Sequence, residues 1–406
     1  MKPRLLMIAY ACDPQGGGEH WLGWGWAEQA AKSFEVELVT TPKAKAAIEA
    51  ASQPIGIKPH FVEVPNLLRR LTELCGGGWL RKLAWQKRVG SLAHSLHGQN
   101  PFALVHQTTF HTFRSPFSAS ALPVPSIWGP IAGGESVPPG FHQYLGAARF
   151  AEQTRALANR AWLNLPSVQR SLRQASALFV SNRITLDFLP SEVHSKCQVV
   201  PPNALRPEDE SWEPRSAPRR TENTPLLLLY VGNCVATRAL PIVFEALQQS
   251  GPSDIQLSIV GSGPAIPAWQ QLASKMGLQP RVKFVGRVPF DQINTFYSEA
   301  DALVFPALRD SGGSAVLEAM ARYLPVFCLD WGGPGEMLDA ESGLKIPVRS
   351  PRETVAAFGN ALNRFRKDPQ LGPKLAAAAR RRAESHFRWE AKRMLLDSTF
   401  DRLRRK

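Results

Sequence analysis

The sequence has few cysteines, and they follow no pattern. Five are scattered over 406 residues: Cys12, Cys75, Cys197, Cys234 and Cys328. An odd, dispersed set forms neither a disulfide framework nor a CxxC metal site, and it favours a reducing compartment. No apolar run approaches the ~20 residues that a membrane-spanning helix needs. The start, MKPRLLMIAYACDP, is typical of a buried strand rather than a signal peptide. We therefore expect a cytoplasmic protein.

Several chemical signatures are also missing. The glycine-rich turn after the first apolar run is not GxGxxG, so a nicotinamide fingerprint is not supported. The sequence has no DxD diad and no His, Asp or Glu cluster at metal-ligand spacing. Internal repeats and low-complexity tracts are absent as well. We expect neither a cofactor nor a bound metal.

The chain does carry a large positive charge. Lys plus Arg number 48 against 34 Asp plus Glu, a formal charge of +14. Such an excess suits anionic partners: nucleic acid, acidic lipid or a phosphorylated substrate. The basic residues are dispersed and accompany no recognised nucleic-acid motif, so we do not expect nucleic acid binding.

Short apolar runs alternate with helix-length segments in both halves of the chain, which predicts parallel sheets with helices on both faces. The runs are residues 5–10, 36–40, 60–64, 103–106, 124–128, 177–180, 226–231, 255–260, 282–285, 302–305 and 326–329. Between the halves, residues 206–225 are charged and rich in proline. The fold class is therefore α/β, with two doubly wound, Rossmann-like domains facing across a cleft. The predicted parts are an amino-terminal domain (1–205), a linker (206–225), a carboxyl-terminal domain (226–386) and a final helix (387–406) that returns to the amino-terminal domain. The predicted apolar points of this helix are Met394, Leu395, Phe400 and Leu403.

Residues 301–336 carry the strongest chemical signal. A buried strand ends at Pro306, a loop follows with Asp310 and the pair Gly312-Gly313, and a helix begins near Ser314. Glycines let backbone amides approach a ligand closely, and a helix start attracts anions. Asp310 and Glu318 lie on either side of the helix start, so both can face one cleft. The alternative is structural: Asp310 caps the helix and Glu318 is a solvated helix residue.

Other strand ends carry similar turns. Gly261 ends the run at 255–260, and Arg287 and Val288 follow the run at 282–285. Asn233 and Arg238 follow the run at 226–231. In the amino-terminal half, Gly17 and Gly18 follow the first run. Each turn alone is a weak signal.

Together these segments resemble the retaining glycosyltransferases of family 4, the group 1 type with a GT-B fold. Asp310…Glu318 is similar to the family's E-x7-E motif, with Asp in the first place. The segments 260–264, 282–289 and 300–306 follow in the family's order. The runs 9–12, 23–26 (GWGW) and 128–135 (WGPIAGGE) resemble a subgroup linked to polysaccharide and surface-glycan assembly.

The resemblance implies roles for these residues in binding a nucleotide-sugar donor. Glu318 would hydrogen-bond the ribose, and Asp310 would lie against hydroxyls of the sugar. Amides at three positions would meet the diphosphate and sugar: Gly312, Gly313 and Ser314. Gly17 and Gly18 would approach the same diphosphate. Three residues would cradle the base: Gly261, Arg287 and Val288.

One departure from the family concerns the diphosphate contacts. The family commonly has Arg and Lys at the positions of Asn233 and Arg238. Arg238 can hold phosphate as well as Lys does. Asn233 carries no charge, so one contact is lost or supplied elsewhere, with Arg114 as a candidate. His111 is a candidate acceptor contact and a third candidate catalytic residue beside Asp310 and Arg238. His106 is either a cleft residue or a core histidine.

The resemblance implies metal-independent sugar transfer, with retention, to a glycan or lipid-linked acceptor. Residues 66–90 place Arg and Lys among Leu and Trp, which suits an anionic membrane surface; the alternative is a surface helix pair whose apolar stripe is core. We expect a cytoplasmic protein that is peripheral on the inner face of the cell membrane. Two other functions remain open: a catalytically weak nucleotide-sugar-binding subunit, and a nucleotide-sugar epimerase on the same fold.

Overall fold

A computed structural model describes residues 2–64, 78–109, 111–119, 121–209, 211–213, 224–249, 254–289 and 292–405. The chain forms two compact units. The first comprises Met1–Gly134, Leu157–Pro202 and Trp389–Lys406. The second comprises Glu135–Ala156 and Asn203–Arg388. This division differs from the predicted bounds, because residues 135–156 and 203–213 belong to the second unit.

The first unit is built on a parallel sheet, which has seven strands in the described residues. Their order is β3-β2-β1-β4-β5-β6-β7. The strands are β1 (Arg4–Ala9), β2 (Glu35–Thr40), β3 (Lys58–Phe61), β4 (Leu104–Thr109), β5 (Ser126–Ile131), β6 (Ala177–Val180) and β7 (Cys197–Val199). Six of them fall on predicted apolar runs. The sheet is doubly wound, as expected, and its strand order reverses between β1 and β4.

The second unit has a parallel sheet of six described strands in the order β10-β9-β8-β11-β12-β13. The strands are β8 (Leu226–Val231), β9 (Ile255–Val260), β10 (Val282–Gly286), β11 (Ala302–Phe305), β12 (Val326–Leu329) and β13 (Leu344–Ile346). Here the order reverses between β8 and β11. The α/β class with two doubly wound sheets is confirmed.

Helices connect the strands, as parallel pairing requires. They are α1 (Glu19–Ser33), α2 (Lys45–Ser52), α3 (Gly78–Gln99), α4 (Ala148–Leu163), α5 (Pro166–Gln174), α6 (Arg183–Phe188), α7 (Pro241–Gln249), α8 (Ile266–Lys275), α9 (Ile293–Glu299), α10 (Ser314–Ala321), α11 (Gly332–Met337), α12 (Pro351–Lys367), α13 (Leu371–His386) and α14 (Trp389–Arg404). None of the described helices is both long and apolar enough to cross a bilayer.

Two glycines of the GWGW run let α1 pack closely inside the first unit. A Cβ on Gly23 would lie 2.0 Å from the carbonyl oxygen of Ala11, and a Cβ on Gly25 would lie 2.0 Å from the indole of Trp389. Helix α14 therefore packs against α1 through Trp389. The predicted apolar points of this last helix are partly wrong: Phe400 is buried, but Met394 is 64% exposed. Leu396, one turn before Phe400, takes the core position instead.

His106 is a core residue of the first unit. It lies on β4 with no exposed surface, and its Nε2 is 2.9 Å from the carbonyl oxygen of Gly129. The rings of Trp26 and Phe179 pack edge-on against it, at 5.1 and 5.8 Å between centroids. Burial lowers the pKa of His106 to about 4. The structural alternative is therefore the right one for this histidine.

Residues of the predicted linker contribute to the second unit. Asp209 is buried and forms an ion pair with Arg322, 2.7 Å from Oδ1 to Nη1. The ring of Trp212 lies 5.2 Å from the Arg322 guanidinium. A buried ion pair of this kind costs several kcal/mol to break from one side, so it fixes Asp209 to the unit.

Candidate active site

The predicted donor-binding residues of the second unit lie at the carboxyl edge of its sheet. Arg238 follows β8 and Asp310 follows β11, the two strands between which the strand order reverses. Ligands of doubly wound sheets bind at this position, because the loops on either side diverge and leave a crevice. Helix α10 begins there at Ser314, as predicted.

Arg238 and Asp310 are directly paired. The Arg238 Nη2 lies 2.5 Å from Asp310 Oδ2, and Nη1 donates to the carbonyl oxygen of Arg309 at 2.7 Å. The guanidinium also lies over the ring of Phe305, 5.5 Å from its centroid. Arg238 is therefore held in one orientation by an ion pair, a hydrogen bond and a ring contact.

The other carboxylate oxygen of Asp310 organises the glycine turn. Oδ1 accepts the backbone N–H of Gly312 at 2.8 Å and that of Gly313 at 2.7 Å. Gly313, with φ 60°, is the N-cap of α10, and a Cβ there would meet Pro334 at 3.0 Å. Asp310 thus holds the turn before α10 but does not cap the helix, because the N-cap residue is Gly313 and no described side chain bonds the first helical amides. The structural alternative for Asp310 is wrong in that respect. The two amides expected at the diphosphate donate to Asp310 in this structure.

Glycines bring the turns after β8, β9 and β10 together. The N–H of Gly232 donates to Val260, and that of Gly261 donates to Gly286, at 3.0 and 2.8 Å. Gly261 has φ 146°, and a Cβ there would lie 1.9 Å from the carbonyl oxygen of Gly232. Only glycine fits this approach. Asn233 and Arg287 are exposed on these turns, and Val288 is half-buried.

Glu318 lies on the second turn of α10 and is not a solvated residue. Its Oε2 accepts the hydroxyl of Tyr297, from α9, at 2.8 Å. Burial raises the pKa of Glu318, while the bond from Tyr297 and the charge of Arg322 lower it. The side chain is half-buried, so one edge stays open to a ligand.

A cation that the sequence analysis missed lies beside Arg238. The Arg309 Nε is 3.2 Å from Oε2 of Glu152, whose carboxylate also accepts Arg155. Burial and the positive charge of Arg155 lower the pKa of Arg309, and Arg238 contributes in the same direction. Three guanidinium groups therefore occupy one region of the second unit, where Asn233 supplies no charge.

In the first unit, the turn after β1 leads into α1. Gly18, with φ 55°, is the N-cap of this helix, a conformation that favours glycine. The next residue, Glu19, accepts the backbone N–H of His111 at 3.0 Å. This bond ties the loop after β4 to the first turn of α1. Glu19 therefore brings His111 close to the turn that contains Gly17 and Gly18.

His111 is mostly buried and electrically neutral at pH 7. Burial lowers its pKa, and the charge of Lys392 lowers it further, while Glu19 acts in the opposite direction. Its Nε2 is buried without a hydrogen-bond partner among the described residues. A neutral imidazole whose Nε2 has no partner among the described residues keeps the capacity for one more hydrogen bond. Arg114 lies with its guanidinium 5.9 Å from the ring centroid of Phe113.

A cavity of about 640 Å³ opens at the carboxyl ends of β1, β2 and β3 in the first unit. Its wall includes Tyr10, residues 41–43 and residues 62–64, with Arg81 and Trp85 from α3. His20 of α1 completes it, and its buried Nδ1 has no partner in the part of the chain that the structure describes. This volume lies within the range of ligand-binding clefts.

The basic segment 66–90 is only partly described, because residues 65–77 lie outside the described residues. Trp85 has no exposed surface, and its Nε1 donates to the carbonyl oxygen of Val62 at 3.1 Å. Its assignment to a membrane surface is therefore wrong, and it belongs to the apolar stripe of the core. Lys87 and Arg88 are exposed, and Leu80 is 43% exposed.

Comparison with known proteins identifies the second unit. Residues 225–364 match the family described as glycosyl transferases group 1. The chain carries a group 1 glycosyltransferase domain. A curated relative, the alpha-D-kanosaminyltransferase of Streptomyces kanamyceticus, is 29% identical over 158 residues, which are 38% of this chain and 39% of that protein. The first curated relatives are each matched over less than two thirds of their own length.

Solved structures resemble the whole chain. Sucrose-phosphate synthase from Thermosynechococcus elongatus has a TM-score of 0.65 at 20% identity, over 99% of both chains. HepE of Anabaena, solved with UDP-glucose, has a TM-score of 0.61 at 15% identity, over 98% of this chain and 99% of its own. The chain thus has the GT-B fold, and its group 1 domain lies in the second unit.

Sequence reasoning missed Tyr297, Arg309 and the buried pair Asp209–Arg322 near the group 1 motif. Tyr297 lies 21 residues before its partner, so no local spacing indicates the contact. The only available signal was the Arg-Asp pair at 309–310, a basic residue next to the motif carboxylate. No group of three or more His, Cys, Asp or Glu suited to a metal occurs among the described residues.

Proposed function

We propose that this protein transfers a sugar from a nucleotide-diphosphate sugar to a glycan or lipid-linked acceptor, with retention of configuration. One observation supports this most strongly: Arg238 and Asp310 are paired at the switch point of the sheet, and Glu318 lies on the helix that begins beside them, inside a group 1 domain. The donor's diphosphate would meet Arg238 and Arg309, and its ribose would meet Glu318. HepE, with the same fold, binds UDP-glucose, which favours a uridine donor.

Retention needs no protein nucleophile if the acceptor attacks the face that the leaving group departs from. The acceptor O–H then bonds to the anomeric carbon as the C–O bond to phosphate breaks, and the phosphate oxygen takes the proton. In this step Arg238 and Arg309 stabilise the charge that grows on the diphosphate. Asp310 would position the sugar and orient Arg238, and no metal would be needed.

The acceptor side is assigned to the first unit. The cavity at the ends of β1, β2 and β3 carries Lys43 and Arg81 on its wall against one carboxylate, Glu63, and this positive excess suits an acceptor with an anionic group. His111, whose buried Nε2 has no partner among the described residues, would contact the acceptor hydroxyl. Assembly of a polysaccharide or surface glycan at a membrane follows from the resemblance of the amino-terminal half, and it is part of this proposal.

The test uses purified wild-type protein with a panel of UDP-, GDP- and ADP-sugars. Ligand-induced melting shifts identify the donor, and release of free nucleotide with and without acceptors measures turnover, in EDTA and in Mg²⁺. We expect one donor family to bind and turnover to survive EDTA. Arg238→Ala and Glu318→Ala should each abolish most turnover; unchanged turnover in both would contradict the proposal.

A second candidate is a nucleotide-sugar-binding subunit with little turnover. The pairing of Arg238 with Asp310 and of Asp310 with the Gly312 and Gly313 amides favours it, because all these groups are already occupied. Such a subunit would show a melting shift without nucleotide release, under every acceptor condition. An epimerase would instead release an isomerised nucleotide-sugar when no acceptor is present.

A further inference from the structure

Tyr297 is buried against the residue that would bind the donor's ribose. It is 1% exposed, and its hydroxyl donates to Oε2 of Glu318 at 2.8 Å. Tyr297 comes from α9, before β11, while Glu318 lies on α10, after that strand. The bond therefore joins two helices that flank one strand, and it is not a by-product of helix geometry.

In this hydrogen bond, Tyr297 is the donor and the Glu318 carboxylate is the acceptor. Burial and the nearby negative charge of Glu318 raise the pKa of Tyr297 well above its ordinary value. The phenol consequently keeps its proton and can only donate to the carboxylate. Donation to a carboxylate stabilises its ionised form, and this opposes the effect of burial on Glu318.

A buried ion pair holds the tyrosine from the other side. The Arg322 guanidinium lies 5.0 Å from the ring centroid of Tyr297 and pairs with Asp209 at 2.7 Å. Arg322 also donates to the side-chain oxygen of Asn294 on α9, at 3.1 and 3.2 Å, and to the backbone oxygen of Glu318 at 3.1 Å. These contacts restrain α9 against the end of α10, so the hydroxyl of Tyr297 has little freedom.

The geometry points to Tyr297 as a positioning residue that fixes the Glu318 carboxylate for ribose recognition; this rests on the proposed function. With Oε2 held by the phenol, the carboxylate plane is set. Oε1 makes no hydrogen bond to any described residue and is left to accept a ribose hydroxyl. A hydrogen bond from the 2′- or 3′-hydroxyl to this carboxylate then makes ribonucleotides bind more tightly than their deoxy counterparts.

The experiment measures this discrimination by calorimetry. UDP, 2′-deoxy-UDP and 3′-deoxy-UDP are titrated into the full chain, or the GDP or ADP series if the melting panel selects that base. Wild type should bind UDP about 10-fold or more tightly than the deoxy compound that lacks the recognised hydroxyl. Tyr297→Phe should weaken UDP binding and leave deoxy binding nearly unchanged, so that the ratio falls toward about 2. It should also move the low-pH limit of UDP binding to higher pH, because Glu318 loses a donor.

The matched control is Tyr144→Phe, which removes another tyrosine–glutamate bond in the same unit, from the Tyr144 hydroxyl to Glu245 at 3.1 Å. This variant should keep the wild-type ratio and pH limit. Equal loss of UDP and deoxy-UDP binding in Tyr297→Phe would overturn the inference, because a merely structural role weakens both alike. An unchanged ratio would overturn it too.

If Tyr297→Phe does not fold, 3,5-difluorotyrosine at position 297 keeps the ring and makes the hydroxyl a stronger donor. The low-pH limit of UDP binding should then move to lower pH, and an unmoved limit would count against the inference. Failure of the proposed function gives a different result: wild type would bind none of the nucleoside diphosphates. That outcome would overturn both.

Discussion

The Arg238 guanidinium lies 2.5 Å from the Asp310 carboxylate, whose other oxygen accepts the amides of Gly312 and Gly313. One carboxylate thus orients both the cation and the turn at the switch point. A bound diphosphate would compete with Asp310 for Arg238. Under the proposed function, the site would be organised before the donor arrives, because the fold already orients Arg238.

Removing the Asp310 carboxylate should cost both stability and turnover. Asp310→Ala leaves Arg238 and two amides without their partner, and we expect the free energy of unfolding to fall by ~2–4 kcal/mol. Asp310→Asn keeps an oxygen for the amides and should lose less stability, yet it should still lose most of the turnover because Arg238 is released. Urea unfolding and nucleotide release measure the two effects.

The control for this prediction is the pair Arg366–Asp254 in the same unit, 3.4 Å apart and more exposed, at 28% and 34% against 18% and 12%. Asp254→Ala should cost less than about 1 kcal/mol and keep full turnover. If Asp310→Ala and Asp254→Ala destabilise equally, the organising role of Asp310 is wrong.

The Arg309 side chain should contribute to turnover although no spacing rule marks it. It carries a positive charge near Arg238, and we expect Arg309→Ala to lower kcat/KM for the donor by about 10-fold or more, as for loss of one charged hydrogen bond. The melting temperature should change little, because Arg155 keeps both of its bonds to Glu152.

Arg364→Ala is the matched control for Arg309, an exposed arginine on α12 of the same unit. It should leave kcat/KM unchanged. Equal kcat/KM in the two variants would remove Arg309 from the donor site and leave the missing charge at Asn233 uncompensated.

The fold followed from the sequence where apolar runs were long and bounded by turns. Strands β8, β9, β11 and β12 have the predicted bounds because both faces of a parallel sheet are buried and the whole run must be apolar. Strands β7 and β13 have three residues each and were missed, since so short a run gives no periodicity. In α14, Leu395 and Leu396 are neighbours, and the sequence alone does not tell which of the two faces the core. In the structure Leu396 is the buried one.

The parts of the site that come from one short segment of the sequence were predictable. Asp310 and Glu318 surround one helix start, so spacing alone placed them together. The bond from Tyr297 to Glu318 and the approach of Arg309 to Glu152 join distant segments and depend on how strands and helices pack. Trp85 was predicted wrongly although its sequence neighbours were known. A tryptophan among basic residues suits both a membrane surface and a core, and only its burial in the structure distinguishes the two.

A substitution in the cavity of the first unit should change turnover with the acceptor and leave donor binding unchanged. Lys43 lies on its wall after β2 and is exposed. Lys43→Glu should lower acceptor-stimulated turnover several-fold with phosphorylated acceptors, because it reverses one charge at the cavity. Donor affinity and acceptor-free hydrolysis should not change. A panel of neutral and phosphorylated glycan and lipid acceptors, read by nucleotide release, measures the effect.

Lys45→Glu is the control for Lys43, because Lys45 lies two residues away, pairs with Glu49 and is not part of the cavity wall. It should keep acceptor-stimulated turnover. A loss of donor affinity in Lys43→Glu would show that the cavity is not an acceptor site.

The first unit contains a buried lysine with an unusual pKa, which gives a prediction on pH and stability. Lys392 of α14 is 5% exposed, its Nζ donates to the carbonyl oxygen of Pro201, and it lies 5.5 Å from the ring centroid of Trp26. Burial lowers its pKa from 10.5 to about 7. Between about pH 7 and 10.5 the unfolded chain therefore binds a proton that the folded chain does not.

Stability should accordingly rise with pH over that window, by ~1.4 kcal/mol per pH unit from this one group. Lys392→Met removes the group that loses its proton on folding, so the gain in stability over wild type should be largest near pH 7 and should shrink toward pH 10. Urea unfolding midpoints at pH 7, 8 and 9 measure the difference. His111 interacts with Lys392, but its pKa is lowered from the ordinary value, so this histidine titrates below the pH window. Lys32→Met, at an exposed lysine of α1 in the same unit, should give midpoints parallel to wild type. Parallel midpoints for Lys392→Met as well would mean that Lys392 keeps its proton throughout, with its charge stabilised by the Pro201 carbonyl and the Trp26 ring.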